Sequence, residues 1–176
     1  MIVKQQDETP PALPESEMCF LLIDTARLFY QALDGSIVDN RQGLTPGTLR
    51  ALGAVIRYRG MGLNRIADRM DLEPMSLIVH INRLATLGLV ERREDPKDKR
   101  KKPLYPTAKA FEVMRDLDPH FDNLYRAMTQ DIQADEMARL AAVLTKMRAN
   151  MTTDPGITAP FTLLPAEPNA CSSAQS

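Results

Sequence analysis

The chain has no tryptophan, and only 5% of its 176 residues are aromatic. Leu, Ala, Met, Arg and Asp abound instead, a composition that favours helices. Cysteine is scarce: Cys19 and Cys171 stand far apart and complete neither a disulfide framework nor a metal motif. The longest apolar run, Met18 to Ile23, is too short to cross a bilayer. No basic-then-apolar leader opens the chain, so a cytoplasmic protein with no membrane partner is expected. No nucleophile–base pairing, phosphate loop or metal constellation stands out. His120, for instance, has no second histidine or carboxylate pattern beside it. The expectation is therefore no enzyme and no cofactor.

What is present is a local excess of positive charge. The whole chain carries a net charge of −1. Between Arg57 and Lys109, however, thirteen Lys/Arg face seven Asp/Glu. A basic patch on a near-neutral protein is the footprint of a phosphate-binding surface.

The same stretch carries the clearest structural pattern. Ile66, Ala67 and Met70 fall on one face of a short helix. Leu77, Ile81, Leu84 and Ala85 fall on one face of a second. Leu72 is placed as an apolar plug at the turn between them. Glu73 sits at the positive end of the second helix, and Pro74 suits its first position, where no N–H is needed. Gly88 ends that helix. Leu89 and Val90 then start a strand that Glu91 to Glu94 continue, leading to a charged tip at Asp95–Lys102 and a short return through Pro103–Thr107. Two helices and a basic-tipped hairpin spell a winged helix-turn-helix, which places a helix in the DNA major groove and a loop on the flanking backbone.

Off the apolar stripe of the second helix lie Pro74, Met75, Ser76, Val79, His80 and Arg83, the candidates for DNA contact. Ser76 and His80 can donate or accept at a base edge, and Arg83 can reach a phosphate or a guanine. The plainer alternative makes Met75 and Val79 ordinary surface apolar residues and His80 a solvated side chain. On the wing the candidates are Lys97, Asp98, Lys99, Arg100 and Lys101, with Asp98 paired to a basic neighbour and shaping the tip.

The rest of the chain divides around this module. Residues 1–15 read as a mobile polar arm, 16–151 as the folded domain and 152–176 as a disordered tail. Within the domain, 45–106 form the DNA-binding lobe, and 16–35 with 107–151 supply dimerisation helices. The first helix, Glu17 to Leu33, carries a stripe of Leu22, Ala26, Phe29 and Leu33, with Leu21, Leu28 and Tyr30 outside it. Asp34 to Gly43 reads as loop. Thr45-Pro46 starts a helix running to about Tyr58, in which Gly47 and Gly53 each cost roughly 1 kcal/mol relative to alanine. Thr107 caps a long helix through Phe111, Met114, Leu117, Phe121, Leu124 and Met128, with a kink expected at Pro119. Met137, Leu140, Ala141, Leu144, Met147 and Met151 form the seam of the last helix. These outer helices carry more apolar surface than a small monomer buries, and a symmetric homodimer is the simple solution. The expected fold is mainly α with a small β-wing, a winged helix-turn-helix dimerised through its N- and C-terminal helices.

The run Gly88 to Ala110 resembles the wing of MarR-family transcription regulators. Asp95, Lys97, Asp98 and Arg100 match the family's acidic–basic tip, and Thr107 its exit threonine, while Ala110 stands where glycine is usual. The segments Pro74–Leu77 and Phe20–Arg27 resemble the SlyA-type branch. Ile78 and Val79 depart from the polar or basic residues frequent in relatives. The resemblance implies a homodimeric, sequence-specific DNA-binding repressor. It would read a pseudopalindromic operator of double-stranded DNA, two half-sites about one turn apart, and be relieved by a small aromatic or anionic effector. Phe29, Tyr30, Arg57 and Tyr58 are the effector-lining candidates, with core packing as the alternative for each. Two further readings stay open: a winged-helix protein-interaction module without DNA readout, and a thiol-based redox sensor using Cys19. Peroxide-sensing relatives carry a cysteine in a similar context. Here no donor or cation to lower its pKa is evident, so Cys19 is expected to be a buried apolar side chain.

Overall fold

The computed structural model describes residues 14–36, 43–94, 96, 98 and 100–159. The arm 1–13, Lys97, Lys99, Asp95, Cys171 and the tail beyond 159 lie outside the described residues. Helix α1 spans Glu15–Ser36, α2 Pro46–Arg57, α3 Leu63–Arg69 and α4 Pro74–Thr86. Strands β1 (Val90–Arg92) and β2 (Leu104–Pro106) follow, then α5 (Ala108–Met128), α6 (Ala134–Met151) and the single turn α7 (Pro155–Thr158). The architecture is mainly α with one two-stranded antiparallel hairpin, in the register Val90↔Pro106, Glu91↔Tyr105, Arg92↔Leu104.

The core sits where α2, α3, α4 and the hairpin meet. Leu52, Ile66, Leu77, Ile81 and Leu84 are fully enclosed there. Thr45 caps α2, its hydroxyl accepting the amide of Thr48 at 3.2 Å, and Pro46 takes the first turn. Gly88 adopts φ +71°, a left-handed position open to glycine at little cost, and turns the chain from α4 into β1. Thr107 caps α5 and also donates to the carbonyl of Gly88 at 2.8 Å, so one side chain joins both ends of the hairpin.

Several expectations need correction. Helix α1 takes in Asp34, Gly35 and Ser36, which were read as loop; the Ser36 hydroxyl donates to the carbonyl of Leu33 at 2.8 Å and holds the last turn. Leu72 is 40% exposed and does not plug the turn. Asp71 adopts φ +52°, and the Leu72 amide closes α3 by donating to the Ala67 carbonyl. Ala85 and Ala26 are exposed, so both stripes are narrower than their spacing implies. Strand β1 stops at Arg92, two residues short of the charged alternation. Pro119, where a kink is expected, lies inside α5, and the buried residues of that helix, Ala110, Val113, Met114 and Leu117, all precede it. Cys19 is exposed rather than buried, because the N-terminal half of α1 projects beyond the core and only Leu33 of that helix is enclosed.

The stretch from 152 onward, expected to be disordered, is described as far as 159: Asp154 caps α7, and its carboxylate pairs with Arg69. No described helix is long and apolar enough to cross a membrane.

Candidate nucleic-acid interface

Helix α4 turns Leu77, Ile81 and Leu84 inward, which aims its other side away from the core. Met75 and Val79 are 78% and 65% exposed, and Ser76 and Arg83 are exposed beside them. Positions 75, 79 and 83 recur every four residues, so these side chains form one outward row. Pro74 is half-buried at the start of the helix, where the chain enters from the N-capping Glu73.

His80 is placed differently from its neighbours. It is half-buried, and its Nδ1 lies 3.2 Å from the Thr48 hydroxyl, which in turn lies 2.8 Å from that of Thr45. Its ring rests on Gly47, where a Cβ would come within 2.7 Å of the imidazole. The histidine thus ties α4 to the start of α2, and Gly47 makes room for it. That role was missed; the signal was a glycine retained inside a helix at a cost in propensity.

The hairpin is held to the same body at several points. Leu104 receives the Gly60 amide on its carbonyl at 2.8 Å and donates its own amide to the Met61 carbonyl at 2.9 Å. Arg92 donates to the Asn82 side chain at 2.8 Å and so ties β1 to the last turns of α4. Arg93 lies over the Tyr105 ring at 4.4 Å and bonds Glu91 at 2.7 Å. At the tip, Asp98 accepts from the Arg100 backbone amide at 3.1 Å and from its guanidinium at 3.3 Å. Arg100 is nevertheless 93% exposed, so the pair shapes the turn while the guanidinium stays presented to solvent.

Between α3, α4 and the wing lies an open groove of about 610 Å³. Ile78 forms part of its wall, and Arg65, Arg92, Arg100, Lys101 and Lys102 line it. Arg65 and Arg92 were not among the residues singled out, and Lys102 was read only as the last residue of the charged tip. Five of the thirteen basic side chains of the stretch therefore line one concavity next to the outward row of α4, while Lys97 and Lys99 lie outside the described residues. Such a surface can meet a phosphate backbone at the groove while a neighbouring helix reaches base edges.

The four effector candidates fall into two clusters. Phe29 is half-buried against the core and meets the Tyr30 ring edge-on at 5.9 Å, with Arg50 over Tyr30 at 5.6 Å. Tyr58 is flanked by Arg57 at 5.5 Å and Arg69 at 5.2 Å. None of the four lines the basic groove. Among the described residues, no group of three or more His, Cys, Asp or Glu is arranged to hold a metal.

Residues 42–101 match the family model described as MarR family. Over 60 residues the chain is 30% identical to the HTH-type transcriptional repressor MdtR of Bacillus subtilis (strain 168), a match covering 34% of this chain and 39% of that protein. In fold it is similar to a MarR-family transcriptional regulator from Silicibacter pomeroyi, with a TM-score of 0.64 at 24% identity, covering 78% of this chain and 91% of that one. It is similar also to the transcriptional regulator SlyA, with a TM-score of 0.60 at 25% identity, covering 74% and 93%. The fold is that of MarR-type winged-helix regulators.

Proposed function

We propose that this chain is a MarR-family transcription regulator that binds double-stranded DNA as a homodimer. The observation that carries the reading is the exposed row Met75, Ser76, Val79 and Arg83 set beside a groove of five basic side chains. Met75 and Val79 contact apolar base edges, Ser76 reaches a base edge, and Arg83 takes a phosphate or guanine. Pro74 sets the start of that row. Arg100 and Lys101, with Lys97 and Lys99, grip the flanking backbone, and Asp98 orients Arg100. His80 acts by holding α4 in place rather than by touching DNA.

The exposed apolar residues of α1 and α6 support the dimer. Leu21, Ile23, Leu28, Leu140, Val143 and Leu144 are all exposed in a single chain, a surface that a second copy covers. Two modules related by a twofold axis read a pseudopalindromic operator. We place the protein in the cytoplasm, in the SlyA-like branch, as a repressor relieved by a small aromatic or anionic effector; Phe29, Tyr30, Arg57 and Tyr58 are its candidate contacts, of which Phe29 and Tyr58 pack against the core and Tyr30 stands 48% exposed.

The test is a gel-shift or footprinting experiment on the DNA upstream of its own gene. Specific binding should fall steeply with salt, and Arg83→Ala or Arg100→Ala should each lower the salt slope by about 1. Absence of any salt-sensitive, Arg100-dependent shift rejects the reading and favours a protein-interaction module. A second reading is thiol sensing through Cys19, which is exposed in the single chain but lies on the helix assigned above to the dimer surface. If peroxide releases DNA from the wild type and not from Cys19→Ser, that reading stands.

A further inference from the structure

Three arginines from three helices converge on five residues near the described end of the chain. Arg69, from α3, pairs with the Asp154 carboxylate. Arg57, at the end of α2, donates to the Ile157 carbonyl at 3.4 Å. Arg148, from α6, donates to the Thr158 carbonyl at 3.3 Å. The Arg69 side chain is only 9% exposed and lies 5.2 Å over the Tyr58 ring, so its charge is removed from solvent and needs a partner. Asp154 supplies that partner and also caps α7, accepting the Gly156 amide at 2.8 Å. Gly156 lies flat against the guanidinium: a Cβ there would come within 3.3 Å of Arg69 Nη2 and 3.2 Å of the Asp154 carboxylate.

We propose that residues 154–158 form a latch, in which Asp154 is an intramolecular ligand of Arg69 that clamps the α2–α4 lobe to the end of α6. The segment joins two parts of the molecule that otherwise share few contacts. Helix α6 buries no residue of its own in the chain, so an attachment at its C-terminal end decides how it stands relative to the lobe. Arg57 and Arg69 belong by position to the basic stretch, yet the structure assigns them to this joint rather than to the groove. A bidentate-capable guanidinium on a carboxylate is a directional contact that is either made or broken, which suits a two-state attachment.

Hydrogen exchange on the full chain tests the latch. In the wild type, the amides of Gly156, Ile157 and Thr158 are bonded to Asp154 and should exchange at least about tenfold more slowly than in an unstructured peptide. Asp154→Asn, at a side chain 38% exposed and outside the core, should remove most of that protection and leave the core amides of α4 unchanged. Gly156→Val, which wedges the segment off Arg69, should do the same. Unprotected wild-type amides, or unchanged protection in both variants, overturn the latch.

Its bearing on DNA rests on the function proposed above: a lobe freed from α6 must be ordered on binding, so Asp154→Asn should bind the operator about threefold or more weakly. Loss of protection with unchanged affinity would overturn the coupling and leave the latch standing. Failure of both proteins to bind any DNA would reject the function instead.

Discussion

The α2–α4 lobe and the outer helix α6 are built from similar apolar side chains and end in opposite conditions. In the lobe, Leu52, Ile66, Leu77, Ile81 and Leu84 are enclosed by neighbours from several elements. In α6, Leu140, Val143 and Leu144 lie exposed at 47%, 53% and 39% along a helix of 18 residues. The lobe closes on itself because two helices and a hairpin surround α4. Helix α6 has a well-made start, with Gln133 and Glu136 forming a reciprocal capping box, but nothing among the described residues covers its apolar side. Local rules make both elements; only the lobe has its apolar side enclosed by the described residues.

The largest effect that would sharpen this contrast is in the lobe. Leu84→Ala should lower stability by about 2–5 kcal/mol in denaturant unfolding, since it opens a cavity among side chains that cannot easily collapse. Leu144→Asp should leave the lobe's unfolding transition in place and abolish self-association in analytical ultracentrifugation. A folded Leu144→Asp protein that still dimerises would break the comparison. Within α2 a finer contrast is available. Gly53→Ala meets nothing within 4 Å and should stabilise by up to about 1 kcal/mol, as helix propensity dictates. Gly47→Ala should destabilise by a similar amount, because its Cβ displaces the His80 ring and loses the bond to Thr48. Equal melting shifts for the two variants would refute the packing role given to His80.

The smallest effect concerns acid. The Arg69 hydrogen bond, then the Gly156 amide, hold the Asp154 carboxyl below the usual carboxylate range, and the charge of Arg65 adds to this. The charged groups around the segment are Arg57, Arg65, Arg69 and Arg148. A carboxyl whose folded pKa is depressed stabilises the folded form above its unfolded value of about 3.9, and loses that contribution as pH falls through the lower folded value. Exchange at residues 156–158 should therefore be insensitive to pH-specific loosening from 7 to about 5 and should loosen below about 4, with Asp154→Asn showing no such step.

Much of the lobe was legible in advance. The helices of the turn, the proline at the start of α4, the glycine at its end and the threonine caps at 45 and 107 all follow from local chemistry, and the structure has them. Asp98 bonding its basic neighbour was legible as well. The wrong expectations share a cause. Ala85 was placed by periodicity, which states that a face exists and not how wide the neighbour covering it is, and Leu72 by its apolar character at the turn. His80 was read as outward because Thr48 and Gly47, 32 and 33 residues earlier, could not be known to lie against it. The contacts of residues 154–158 were hidden for the same reason: a short Thr/Asp/Pro/Gly stretch has no signal of its own, and its partners are arginines up to 100 residues away.

By itself, then, the order of amino acids determined which segments coil, where they start and stop, and that positive charge gathers near a hairpin, because caps, glycines, prolines and apolar spacing act over a few residues. Only the tertiary structure decided which arginines face a groove and which are consumed at a joint, which histidine is a strut, and which apolar faces are left open. Those outcomes depend on contacts between residues distant in the chain, where burial and charge pairing are settled by geometry that no local pattern encodes.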